Sequence, residues 1–253
     1  MPEKTKISAI IPCFNEEQNI EKALQSVQFC DEILVIDSYS TDKTLDIAKK
    51  YTDFIVQHEY ENSAAQKNRA IPMVHNEWIV LLDADEYLPE SLQKEIIETV
   101  NHNPKEVAFW MYRQNYFMNK KMNYSGLQGD KVIRLFRKSK CRYENKHVHA
   151  EIIADGKVGF LKNKIVHNTY KGIDKHISKL NRYATWQAKD YDKKTGSLTP
   201  YHFFVKPAFR FMKHYVIKLG FLDGVPGLTY SFLASYAVFM RYVKLWLLRR
   251  NLT

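Results

Sequence analysis

Four short apolar runs, each followed by a stretch of helical periodicity, fill the first hundred residues and restrict the chain to few folds. Residues 6–12 (KISAIIP), 32–37 (EILVID), 54–57 (FIVQ) and 78–82 (WIVLL) read as buried strands. Residues 16–28 repeat Ile20, Ala23, Leu24 and Val27 at helical spacing, and Ser40-Thr41-Asp42 can cap a helix whose apolar side is Leu45, Ile47 and Ala48. Residues 63–71 and 89–100 read as two further helices, the second opened by Pro89 at a first-turn position. Strand and helix in strict alternation predict an α/β fold, a mostly parallel sheet wrapped by helices, because parallel strands need crossover connections. Ligands of such sheets bind at the carboxyl ends of the strands. The loops to read are therefore Pro12-Cys13-Phe14-Asn15-Glu16, Asp37-Ser38 and Asp83-Ala84-Asp85-Glu86.

Beyond residue 107 the pattern changes to short apolar stretches separated by polar turns, which predicts antiparallel strands up to about residue 167. Helical spacing returns with Ile173, Ile177, Leu180, Tyr183 and Ala184, punctuated later by Pro200, Pro207 and Pro226. The expected organisation is a catalytic-type domain over 1–170 and a C-terminal helical appendage over 171–253. With 45% hydrophobic residues and only nine glycines and eight prolines in 253, the chain can bury a core and is not a disordered one. Three cysteines without CxxC spacing suggest neither a disulfide framework nor a structural zinc cluster and fit a reducing compartment. The apolar run at the N-terminus is too short for a signal-peptide core, so a cytoplasmic location is expected.

Charge is divided along the chain. Residues 1–112 carry 10 Lys and Arg against 20 Asp and Glu, residues 113–170 carry 13 against 4, and residues 171–253 carry 15 against 4. Acidic groups in front can hold a metal or a sugar, while cations behind can face phosphates or an anionic membrane, or simply solvate helices.

No glycine-rich turn follows the first strand, which disfavours dinucleotide and phosphate-loop folds and the nucleotidyltransferases that use one. A nucleotide here must be held by side chains and a cation. Asp83 and Asp85, one residue apart after an apolar strand, would point to the same side of an extended segment. Hard oxygen ligands of this kind suit Mg²⁺ or Mn²⁺ bridging a diphosphate; the alternative is a surface turn. Asp37 and Glu16 can accept hydrogen bonds from a base or ribose, with helix capping as the alternative for Asp37 and Asp42. Lys67 and Arg69 can pair with these carboxylates or with a phosphate, or form structural ion pairs.

The segments IIPCFNEEQNI, EILVIDSYSTDKT, AAQKNRA and WIVLLDADE, in this order, resemble the successive motifs of family 2 glycosyltransferases of the GT-A fold. VIRLFRK (132–138) and KHVHAEI (146–152), with the tails after 171, are similar to a subgroup near the lipopolysaccharide core β-glucosyltransferases. The resemblance implies that Pro12, Asn15 and Glu16 line a nucleotide pocket and that Asp37 contacts uracil. It also implies that Asp83 lies beside ribose or metal and that Asp85 ligates the divalent cation. The reaction implied is inverting transfer of a hexose, glucose first among the candidates, from a UDP-sugar to a lipopolysaccharide core or other lipid-linked glycan acceptor. Inversion needs a carboxylate to take the acceptor proton. Glu151 is the first candidate, although Ala150 separates it from His149 where relatives carry a His-Glu pair, and Asp130 is the rival. His147 and His149 are an alternative metal pair. Arg134 and Arg137 are candidates to steady the diphosphate, or else flank a strand.

The basic, aromatic segments 201–218 and 239–250 suit a peripheral position on the inner face of the cytoplasmic membrane, or a helical lid. The uncharged run 225–240 is only sixteen residues long and contains Pro226 and Gly227, so a buried or interfacial helix is expected rather than a spanning one. No nucleic-acid-binding motif is present, and no nucleic-acid partner is expected. Rival readings are a non-catalytic nucleotide-sugar-binding module and a peripheral membrane adaptor.

Overall fold

The computed structural model describes residues 4–144, 150–168, 170 and 172–252. His147 and His149 lie outside the described residues. The chain forms two compact units, residues 1–114 with 130–167 and residues 115–129 with 168–253.

In the first unit the expected alternation is present. The elements are β1 (Ile7–Cys13), α1 (Ile20–Ser26), β2 (Glu32–Asp37), α2 (Thr44–Ala48), β3 (Ile55–Gln57), α3 (Ser63–Ala70), β4 (Trp78–Leu81), β5 (Glu86–Tyr87) and α4 (Glu90–Asn101). The first four strands pair in parallel in the order β3-β2-β1-β4. Next in the chain come β6 (Ala108–Phe117), whose last residues belong with β7 (Lys120–Lys121) to the second unit, and then β8 (Lys131–Arg137), β9 (Cys141–Tyr143), β10 (Ile152–Ala154), β11 (Val158–Phe160) and β12 (Ile165–Asn168). Of these, β8 pairs antiparallel with both β4 and β6, so the sheet is mixed beyond β4.

Side chains of successive strand residues face opposite ways, and the core divides accordingly. Ile7, Ala9 and Ile11 of β1 and Val35 of β2 pack with Ala23, Leu24 and Val27 on one face, where α4 adds Leu92, Ile96 and Val100. Ile10, Leu34, Ile36, Ile79 and Leu81 point to the other face, where α3 contributes Ala64 and Ala70. Each wholly buried large side chain contributes on the order of 2 kcal/mol. The first helix starts later than its periodicity suggests. The amides of Asn19 and Ile20 both donate to the Glu16 carbonyl, so residues 16–19 form a turn that keeps Glu16 at the strand edge.

The second unit contains α5 (Ile173–Asp192), α6 (Lys206–Met212) and α7 (Val225–Arg249). Helices α5 and α7 pack through Ala188, Val238, Tyr242 and Leu245. Arg241 Nε donates to Gln187 Oε1 at 2.8 Å, and Lys244 Nζ to the Asn181 carbonyl at 2.7 Å. Residues 201–217 run as one helix, wider π turns flanking α6 on both sides. Pro207 sits in its middle, where it lacks an amide donor; its carbonyl accepts from Ser235 Oγ of α7 at 2.8 Å. Among the described residues, no helix is long and apolar enough to cross a membrane.

Candidate active site

Parallel pairing puts the ends of β1, β2 and β4 on one edge. Cys13 is level with Asp37, and Ile10 is level with Leu81, so Pro12 and Asp83 stand at the same height. Asp37 and Asp83 are two strand spacings apart, about 9.6 Å across the sheet. The three aspartates thus share one edge of the first unit.

On the β1–β2 side the carboxylates organise loops. Asp37 is wholly buried. It accepts from the Ser40 amide at 2.9 Å, from the Ser40 hydroxyl and from Gln57 Nε2 at 3.0 Å. Asn15, in a left-handed backbone conformation (φ 52°), accepts the Thr41 amide at 2.8 Å and donates its own amide to Ser40 Oγ at 2.8 Å. Its side chain thereby ties the loop after β1 to the loop after β2. The Glu16 amide donates to Thr44 Oγ1, and its carboxylate accepts from Asn19. Asp42 accepts the Thr44 hydroxyl and the amides of Thr44 and Glu17; burial would raise its pKa, but these bonds outweigh it and lower it. Pro12 is buried in β1 beside Ile36.

At the end of β4 the chain turns at once. The Glu86 amide donates to the Asp83 carbonyl at 2.9 Å, so residues 83–86 form a tight turn rather than the extended segment expected for two aspartates facing one way. The turn separates their roles. Asp83, on the α3 side of the sheet, receives Lys67 Nζ at 2.7 Å, a short contact from Arg134 Nη2, and Arg113 Nη2 at 3.6 Å. Glu86, wholly buried, takes Arg134 Nε at 2.8 Å and Arg113 Nη2 at 2.6 Å. Arg113 also reaches Asp130 Oδ1 at 3.4 Å, and Arg134 Nη1 donates to the Tyr143 hydroxyl at 3.2 Å. Three cations and three carboxylates thus form one network. Burial would push the Asp83 carboxyl up, but the Arg134, Lys67 and Arg113 charges outweigh it and hold it well below the usual carboxylate range. Glu86 is lowered by the same balance, and Arg134 is held well above the ordinary arginine value despite its burial.

Asp85 is turned elsewhere. Strand β5, which follows the turn directly, pairs antiparallel with β12, placing His167 opposite Glu86. His167 Nε2 then lies 3.6 Å from Asp85 Oδ1, both side chains largely buried. An octahedral ion with bonds of about 2.1 Å has adjacent ligands about 3 Å apart, so this oxygen and nitrogen can serve a single cation with a small adjustment. Among the described residues no group of three or more metal-ligating side chains occurs.

The structure therefore gathers Lys67, Asp83, Asp85, Asp130 and Arg134, and adds Glu86, Arg113 and His167, to which the sequence alone assigns no role. Glu86 was visible as the last letter of DADE; Arg113 and His167 lie in strands without a motif. Two candidates stand apart. Arg69 pairs at 3.5 Å with Glu61 on the exposed side of α3. Arg137 lies opposite Trp78, at the beginning of β4 and away from Asp83, stacked on that ring at 4.5 Å and bonded to Asn103 and Pro104. Because β8 runs antiparallel to β4, three residues beyond Arg134 lead away from Asp83, and Arg137 flanks the strand there. Glu151 is exposed next to the β9–β10 hairpin, with backbone bonds to Glu144.

Residues 8–154 match the family model described as Glycosyl transferase family 2. The chain is 28% identical to the lipopolysaccharide core biosynthesis glycosyltransferase LpsC of Rhizobium meliloti (strain 1021), over 94% of each chain. It is 30% identical to the uncharacterized glycosyltransferase RT0209 of Rickettsia typhi (strain ATCC VR-144 / Wilmington), over 95% of this chain and 86% of that one. Among solved structures it is similar to the mannosyltransferase PcManGT from Pyrobaculum calidifontis, determined in complex with GDP-Man and Mn2+. That similarity has a TM-score of 0.55 at 16% identity and covers 96% of this chain and 88% of that one. The fold is thus α/β of the GT-A type with a C-terminal helical appendage. The sheet edge, its acidic turn and the match over most of the first unit lead to one assignment: the chain belongs to glycosyl transferase family 2.

Proposed function

We propose that the chain moves a hexose, with inversion, from a UDP-sugar to a lipopolysaccharide core or other lipid-linked glycan at the inner face of the cytoplasmic membrane. The observation that carries this reading is the Asp85–His167 pair at 3.6 Å beside a neutralised ion network on the carboxyl edge of the sheet. The solved Mn2+ complex of PcManGT and the name of LpsC support the cation and the acceptor class respectively.

Asp85 and His167 are the residues that would hold Mn²⁺ or Mg²⁺, which neutralises charge on a departing diphosphate. Around them the chain's own groups set geometry. Lys67, Arg113 and Arg134 cancel the charges of Asp83 and Glu86, so the turn carrying Asp85 is fixed before substrate arrives. Asn15, Glu16 and Asp37 shape the loops at which the nucleoside is expected. In the displacement, the acceptor oxygen bonds to the anomeric carbon while the bond from that carbon to the diphosphate oxygen breaks. UDP leaves with the electron pair, and the hydroxyl proton passes to a carboxylate. Glu151 is the base in this reading, since its side chain is exposed whereas Asp130 is engaged with Arg113.

A turnover screen tests the reading. Full-length protein is incubated with UDP- and GDP-linked hexoses, with Mn²⁺ or with a chelator, and with glycan extracted from a strain lacking the protein. Transfer from a UDP-hexose that stops on chelation is the expected result. Transfer unaffected by chelation, or a strict preference for a GDP-sugar, contradicts it.

A further inference from the structure

The second unit turns its polarity inside out along residues 201–217. The exposed large apolar side chains of this helix are Tyr201, Phe204, Val205, Phe209, Met212, Val216 and Ile217, Phe204 by 71% and Ile217 by 62%. Lys213 is the one charge among them. Its cations instead turn toward other parts of the same unit. Lys206 donates to the Tyr242 hydroxyl at 2.8 Å and lies over the Tyr201 and Tyr242 rings. Arg210 reaches His214, whose ring bonds the Ser125 carbonyl at 2.7 Å.

The apolar row continues past the helix. Leu219, Phe221 and Leu222 are exposed in the following turn, and Val225, Leu228 and Phe232 form a stripe at i, i+3 and i+7 along α7. Thirteen of the 22 large hydrophobic residues exposed among the described residues fall between 201 and 232. Soluble surfaces rarely gather apolar area in this way unless it is covered in use.

Charge indicates what covers it. The second unit carries 17 Lys and Arg against 4 Asp and Glu. Beyond residue 192 its one acidic side chain is Asp223, which is buried and accepts the amides of Asn123 and Tyr124. A second copy would bring a like charge to the same face. Exposed aromatic and aliphatic tips among cations, with no exposed carboxylate between residues 201 and 232, match the headgroup and acyl boundary of an anionic bilayer.

We propose that residues 201–232 are a docking face for an anionic phospholipid bilayer. The helix 201–217 lies in the plane of the interface, Phe204, Phe209 and Ile217 enter the acyl boundary, and Lys213 and Lys218 meet lipid phosphates. This assignment rests on the proposed site of action at the membrane and is independent of the transfer chemistry.

Flotation of the full chain with vesicles tests it. Expected is binding to vesicles containing phosphatidylglycerol at low salt, weaker binding at high salt, and little binding to pure phosphatidylcholine. The exposed triple variant Phe204→Ser, Phe209→Ser, Ile217→Ser is expected to lower partitioning by on the order of a hundredfold. Lys213→Glu with Lys218→Glu is expected to lower it about tenfold or more. Thermal melting and UDP-hexose hydrolysis without vesicles stay unchanged in both variants, which separates loss of docking from loss of catalysis. Undiminished flotation of the triple variant overturns the proposal. So does a wild-type dimer, seen by light scattering, that ignores vesicles and dissociates in the triple variant.

Discussion

Asp83 and Asp85 are separated by one alanine and have different partners, because a tight turn and not a strand lies between them. Asp83 belongs to an ion network that fixes the turn, and Asp85 faces His167. Arg134→Met removes the main partner of buried Glu86 and is expected to cost about 3–5 kcal/mol, since an uncompensated buried charge remains; urea unfolding measures it. The pH dependence has a definite sign. Asp83 and Glu86 are depressed in the folded protein, so their contribution is complete above the unfolded values of about 3.9 and 4.3 and fades as pH falls toward the folded ones. The stability difference between wild type and Arg134→Met is therefore expected to be full at pH 7 and to shrink below about pH 4. Lys67, Asp83, Asp85 and Arg134 were legible because each belongs to, or immediately follows, a patterned element. Arg113 and His167 were not, since their roles arise only from long-range strand pairing.

At the scale of elements, the pairing of β5 with β12 brings His167 to Asp85, and the direction of β8 separates Arg134 from Arg137. Period-two alternation marks which residues share a face of β8, but not which end of a neighbouring strand they reach. The parallel strands were readable from local apolar runs. The mixed half of the sheet was readable only as a class, because its antiparallel pairings join segments far apart in sequence. In the second unit, helical spacing was legible, whereas the outward orientation of the apolar stripe on 201–217 was not, since periodicity does not say which stripe is inside. Gly227 of α7 gives a local test. A Cβ there would lie 1.9 Å from the Gly220 carbonyl oxygen, so the turn 220–224 must move. Gly227→Ala is expected to cost about 1–3 kcal/mol and to speed hydrogen exchange in that turn, measured by mass spectrometry.

The whole molecule separates its charges by unit. The first unit holds 21 Lys and Arg against 24 Asp and Glu and the second holds 17 against 4, so the net positive charge resides with the exposed apolar helices. The nearly neutral unit carries the candidate chemistry, and the cationic unit carries the proposed lipid face. Because the two proposed functions use different residues, Glu151→Gln is expected to lower transfer by on the order of a hundredfold or more, as for loss of a general base, while leaving vesicle binding unchanged. The assay is single-turnover transfer followed by flotation. The central claim, that Asp85 and His167 hold a cation beneath a nucleoside diphosphate, is tested most directly by titrating Mn²⁺ into protein with UDP and following free Mn²⁺ by electron paramagnetic resonance. Asp85→Asn and His167→Ala should each weaken UDP-dependent Mn²⁺ binding at least tenfold while Glu151→Gln leaves it intact; wild-type Mn²⁺ affinity in Asp85→Asn would contradict the claim.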